Sequence, residues 1–159
     1  MEKLMYTSAQ DGGLSIVIPA PRESLERVLG PLTEEEYEAH VWERSIPEDA
    51  INPRYILEGG LPPTREFRDA WVDVTPEAKV DIDLAKAKEL KLKELRVARD
   101  IELRKTDVDF LTALSKGESL DGIKARKQVL RDATNPLKAL SIKGPEEEVL
   151  NQIRLLSVL

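Results

Sequence analysis

His40 is the only imidazole in the chain, and there is no cysteine. Chemistry at neutral pH that draws on histidine must therefore use one side chain, set in the charged stretch Glu34–Arg44. A nucleophilic triad would also need a positioned serine, and no Gly-x-Ser-x-Gly elbow is present. Without thiolates, a metal site would have to be built mainly from oxygen ligands. Asp81 and Asp83 are the nearest approach to an acidic pair, but no calcium-loop series with a closing glutamate follows them. Capping of a helix explains both. Gly12-Gly13 and Gly59-Gly60 stand outside any phosphate-binding pattern, with no Gly-Lys-Ser/Thr and no Gly-x-Gly-x-x-Gly, and they read as turns. Arg65 and Arg68 flank Phe67 and Trp71, and they either grip an acidic partner or form the solvated rim of a small core. The expectation is a protein without catalytic, cofactor-binding or metal-ligating residues, which works by binding.

Composition points the same way. Of 159 residues, 41% are hydrophobic but only 4% aromatic, so the core must be aliphatic, and the 34% that are charged suit long solvated helices. The net charge is -6, with the acidic excess in the first half and a slight basic excess in the second. Neither half carries the basic patch of a nucleic-acid binder. The N-terminus lacks the apolar core of a signal peptide, and no run reaches the roughly 18 apolar residues of a membrane span. The expected setting is the cytoplasm, with no nucleic acid and no membrane as partner.

Positioning elements follow from local pattern. Lys3–Thr7 and Leu14–Ile18, separated by Asp11-Gly12-Gly13, predict a β-hairpin that Pro19 and Pro21 stop. Arg22–Leu29 predicts a short helix closed by Gly30 and Pro31. Thr33 followed by Glu36 has the spacing of a capping box, and it opens a helix to about Trp42 or Arg44. Pro47–Pro53 reads as a connector, Arg54–Leu57 as a strand, and Val72–Pro76 as a linker. Phe67, Ala70 and Trp71 have the i, i+3, i+4 spacing of one buried helical face. Residues 1–77 thus form a small mixed α/β region.

The character changes at Asp81. No glycine or proline interrupts the chain from there to Ser115, which predicts a helix roughly 50 Å long, capped by Asp81 or Asp83. A turn at Lys116–Ser119 leads to a second helix over Leu120–Ala133. Asn135-Pro136 marks a break, and Gly144-Pro145 precedes a last helix from Glu146 to about Leu156. The helical hairpin occupies residues 78–134 and the terminal amphipathic helix residues 135–159. On the long helix, Leu90, Val97, Ile101, Val108 and Leu111 fall at coiled-coil spacing, interrupted by Glu94 and Arg104. Leu92, Leu95, Leu103, Phe110 and Leu114 make a second stripe on roughly the opposite side. Two stripes call for two neighbours. Ile123, Leu130 and Ala133 can cover one; the other is left for the N-terminal region, the last helix or another subunit. The fold class expected is α+β, and the seam residues, with Arg65 and Arg68, are the expected partner-binding set.

The order Asp11–Pro21, Ile46-Pro47, Phe67–Trp71 and Lys127–Thr134 resembles small proteins encoded among the tail genes of tailed bacteriophages, described as tail assembly chaperones or tail fibre assembly proteins. The resemblance spans most of residues 11–134. It implies help in folding or assembling a tail or tail-fibre protein, with permanent residence in the tail, fibre junction or baseplate as the alternative. It implies a phage tail or fibre protein as partner, a homo-oligomer as a further association, and no catalysis or cofactor. Residence would be in the host cytoplasm during assembly, or in the virion tail. The resemblance supplies no functional residues, and Ser141–Leu159 lies outside it.

Overall fold

The computed structural model describes residues 2–157; Met1, Val158 and Leu159, at the ends of the first and last expected segments, lie outside the described residues. The chain divides into two compact units, Met1–Ile82 and Asp83–Leu159. The division follows Ile82 rather than residue 77, and the hairpin and terminal helix belong to one unit. The fold class is α+β, as expected.

In the first unit, β1 (Leu4–Thr7) and β2 (Leu14–Val17) form the expected hairpin, with Leu4 opposite Val17 and Thr7 opposite Leu14. Its turn uses Gly12 at φ 68°, a conformation most residues resist, and the Asp11 carboxylate accepts from the Gly13 N–H at 2.9 Å. β3 (Ile51–Tyr55) lies on the other side of β1, giving the antiparallel order β2-β1-β3. Here the structure corrects the expected connector Pro47–Pro53 and the strand Arg54–Leu57: pairing begins at Ile51. The register shifts between Met5 and Thr7, where Asn52 takes φ 55°. A bulge on an edge strand accommodates Pro53, which has no N–H to give the ladder.

Helices α1 (Arg22–Leu29) and α2 (Glu34–Ser45) follow. Thr33 and Glu36 form the reciprocal capping box that their spacing predicts. The Thr33 N–H and hydroxyl both donate to the Glu36 carboxylate and hold it below the usual carboxylate range. α2 reaches the sheet through Trp42, which stands edge-on to Tyr55 at 5.8 Å and donates its indole N–H to the Tyr55 hydroxyl at 3.1 Å.

The segment around Phe67 is not a helix. Only a 3-10 turn forms, Arg68–Ala70, and Trp71 already belongs to β4 (Trp71–Val72), which pairs antiparallel with β5 (Asp81–Ile82). Phe67, Ala70 and Trp71 are nevertheless all buried. The i, i+3, i+4 spacing buried the right residues through a tight turn and a strand because Pro62 and Pro63 precede it and strand pairing follows. Val72–Pro76 is accordingly the end of a strand and a pinned loop, not a free linker. Arg54 donates to both carboxylate oxygens of Asp73 and to the carbonyls of Thr75 and Glu77, and Asn52 adds a bond to Asp73 at 3.1 Å. Asp73 is only 2% exposed in this ion pair. Met5, Ile56, Trp71 and Val80 form the core beneath the loop. Gly60 is required there by close approach, since a Cβ would come within 2.9 Å of the carbonyl oxygens of Leu57 and Ala78.

The second unit is built on α3 (Leu84–Lys116). Asp83, not Asp81, is its cap, accepting from the N–H groups of Ala85 and Lys86 at 2.9 and 3.0 Å. Its end is a left-handed Gly117, with Glu118 N–H returned to the Ala113 carbonyl at 2.9 Å. α4 (Asp121–Asp132) packs against it, with ion pairs from Arg126 to Glu102 and from Lys127 to Asp107. Asn135-Pro136 opens a short helix, α5 (Asn135–Ala139), rather than a plain break; proline is tolerated in a first turn, where its missing N–H has no partner to lose. Lys88 caps the end of α5 by donating to the carbonyls of Lys138 and Leu140. α6 (Glu146–Leu155) completes the unit and buries Val149, Leu150 and Ile153.

Replacing either Phe67 or Trp71 with alanine removes a buried ring from the first unit and is expected to cost about 3–5 kcal/mol. Urea or thermal unfolding followed by far-ultraviolet circular dichroism measures this, and an unchanged midpoint would remove both rings from the core.

Candidate protein-binding surface

α3 is longer than the helices that cover it. Its buried residues are Ala87, Leu95, Thr106 and Ala113. At 100° per residue, the last three fall on one side of the helix, which is the side α4 and α6 occupy. Two of the three are small, and the Thr106 hydroxyl is satisfied within the helix by the Glu102 carbonyl at 2.7 Å. Among the expected second stripe only Leu95 is fully buried; Leu92, Leu103 and Phe110 are half-buried, and Leu114 is exposed. Lys127 lies over the Phe110 ring at 4.6 Å and supplies part of its cover. Leu130, from the expected covering set, is fully buried, and Ile123 and Ala133 are half-buried.

On the opposite side the seam is open. Val97 is 56% exposed, Ile101 49%, Val108 64% and Leu111 64%. Leu90, at its upper end, is half-buried. Four large aliphatic side chains on one helical line, each about half or more in water, form an apolar ridge about four turns long, which monomeric surfaces seldom leave contiguous. Glu94 and Arg104 lie in the same line. Glu94 is paired with Lys91 at 3.0 Å and remains 66% exposed. Arg104 is exposed.

Arg65 and Arg68 are also exposed, at the edge of a cleft of about 880 Å³ in the first unit. Its walls include Ile16, Ile18, Leu57, Pro62 and Trp71. The Trp71 indole nitrogen is buried without a hydrogen-bond partner among the described residues. The two arginines therefore flank a cleft of mixed polar and apolar lining, Arg65 in a loop and Arg68 at the start of the 3-10 turn, rather than on the helix the sequence suggested. The partner-binding residues expected from the sequence thus fall into two sets, one in each unit.

His40 is half-buried on α2. Asp81 accepts from the Thr75 hydroxyl at 2.9 Å and Asp83 caps α3, so each of these carboxylates has a structural task. Among the described residues no group of three or more His, Cys, Asp or Glu could hold a metal ion, and no helix is long and apolar enough to cross a membrane. Sequence reasoning missed the Arg54–Asp73 pair, whose members are far apart in the chain and carry no local signal. No protein-family model matches this chain, and neither a curated protein nor a solved structure matches it.

The two sides of α3 should answer substitution differently. Leu95→Ala is expected to cost about 2–5 kcal/mol, because it opens a cavity against the covering helices. Val108→Ser, at concentrations low enough to keep the chain monomeric, should stay within about 0.5 kcal/mol. Chemical denaturation of both variants checks the pair of values, and equal losses would mean that the seam is covered within the chain.

Proposed function

We propose that this chain is an accessory protein of a bacteriophage tail or tail fibre, acting by protein–protein binding as an assembly chaperone. The observation that carries the binding role is the uncovered aliphatic seam of α3, with Val97, Ile101, Val108 and Leu111 in water. Apolar side chains at helical spacing are what recognition between helices and grooves requires. The phage setting rests on the resemblance borne by Asp11–Pro21, Phe67–Trp71 and Lys127–Thr134. A chaperone of this kind needs no active site. It shields apolar surface on a tail or fibre subunit until that surface finds its place in the particle, and the seam and the arginine-flanked cleft are the surfaces available for that contact.

Purified virions distinguish a helper from a structural part. Mass spectrometry should find the chain absent from the finished particle; presence at fixed stoichiometry would make it a permanent component of the tail, fibre junction or baseplate. In the same phage, His40→Ala is expected to leave plaque formation unchanged, while Leu90→Asp, Val108→Asp or Leu111→Asp abolishes it. A phage that tolerates charge along the seam and fails without His40 would overturn the binding role and redirect attention to α2.

A further inference from the structure

The seam of α3 repeats with alternating steps of three and four residues: Leu90, Glu94, Val97, Ile101, Arg104, Val108, Leu111. Five positions are apolar and two are charged, and the two charges are opposite. Their placement is symmetric. Glu94 and Arg104 are equidistant from Arg99, as are Val97 and Ile101, and Leu90 and Val108. A second α3 laid antiparallel, with a twofold axis at the level of Arg99, would bring Val97 opposite Ile101, Leu90 opposite Val108 and each Glu94 opposite an Arg104. Laid parallel and in register, the same helices would oppose Glu94 to Glu94 and Arg104 to Arg104 in the least solvated part of the contact, where like charges cost most.

We infer that, while no other protein holds it, this seam is occupied by a second copy of the chain, in antiparallel register, locked by two reciprocal Glu94–Arg104 pairs. The inference rests on the reading of the seam as a protein-binding surface and is independent of the phage setting. The buried side of α3 stays with α4 and α6, so dimerisation needs no rearrangement of the second unit. On the rim, the register brings Lys93 of one copy toward Asp107 of the other. It also places Lys91 and Lys105 on one flank, where each already has a carboxylate of its own chain, Glu94 at 3.0 Å and Glu102 at 2.6 Å. A polar pair within an apolar seam fixes register and orientation, which aliphatic side chains alone leave open.

Sedimentation equilibrium of the full chain, from low to high micromolar concentration, should show a reversible dimer. Glu94→Arg and Arg104→Glu should each raise the dissociation constant by about a hundredfold, since each places like charges at two points in the seam. The double variant, Glu94→Arg with Arg104→Glu, should return to the wild-type value. The absence of native cysteine makes orientation readable by cross-linking. A mixture of Leu90→Cys and Val108→Cys chains should yield the mixed disulfide dimer, while Val108→Cys alone should not link to itself, its two copies standing roughly 27 Å apart at 1.5 Å per residue. Efficient self-linking of Val108→Cys, or a double variant no better than the singles, would overturn the antiparallel register. A wild-type monomer at high concentration whose seam variants still fail in phage assembly would overturn the dimer and leave the seam to a different protein.

Discussion

α3 carries aliphatic side chains around more of its circumference than three short helices can cover. Nothing within it relieves the mismatch: its 33 residues run unbroken from the Asp83 cap to Gly117. Covering the whole circumference would take helices on every side, and α4, α5 and α6 are 12, 5 and 10 residues long. They bury one side and leave the other in water. That exposed area is unfavourable at roughly 25 cal/mol for each Å². It is offset by the residues that α3 buries, Ala87, Leu95, Thr106 and Ala113. The rest of the second unit is arranged around that division, from the α3–α4 ion pairs at the covered side's edge to the lysine that caps α5.

The first unit meets a different difficulty. It holds six of the chain's seven aromatic residues, but its strands are only two to five residues long and are separated by turns. Polar contacts at specific points make up the difference. Arg54 gathers Asp73, Thr75 and Glu77 into one loop against β3. Arg22 ties the start of α1 to Glu26, to Glu34 of α2 and to the Leu32 carbonyl. The Leu32 N–H, first, and the Arg22 guanidinium, second, hold the Glu26 carboxyl below its usual range. Depressed carboxyls at Glu26 and Glu36 contribute stability above the unfolded carboxyl pKa, and that contribution is lost as pH falls through their folded values.

Legibility in the sequence followed the range of the interactions. The capping box at Thr33, the extent of α1, the glycine stop of α3 and the glutamate-rich start of α6 all depend on residues within one or two turns, and each stands where the pattern put it. β3 was displaced because Pro53 reads locally as a break, while pairing with β1 tolerates it through a bulge. The Phe67–Trp71 spacing identified the buried residues but not their conformation, since a helical face and a tight turn entering a strand bury the same side chains. The Arg54–Asp73 pair and the β4–β5 ladder join positions with no local sign of one another. For the candidate surface, the spacing named the seam, but only tertiary packing could say which side of α3 the chain covers itself.

The three-stranded sheet has two open edges, and both are poor templates for another strand. β2 is four residues long and is followed by Pro19 and Pro21. β3 carries Pro53, which offers no N–H, next to Asn52 in a left-handed conformation that breaks the flat line of the edge. Such edges resist the open-ended backbone pairing by which exposed strands turn crowded proteins into aggregates. The association between copies inferred for the α3 seam would instead rest on side chains of a helix, where geometry closes after two chains rather than propagating. The chain can thus expose an apolar ridge on a helix without offering a sheet edge as the seed of a fibril.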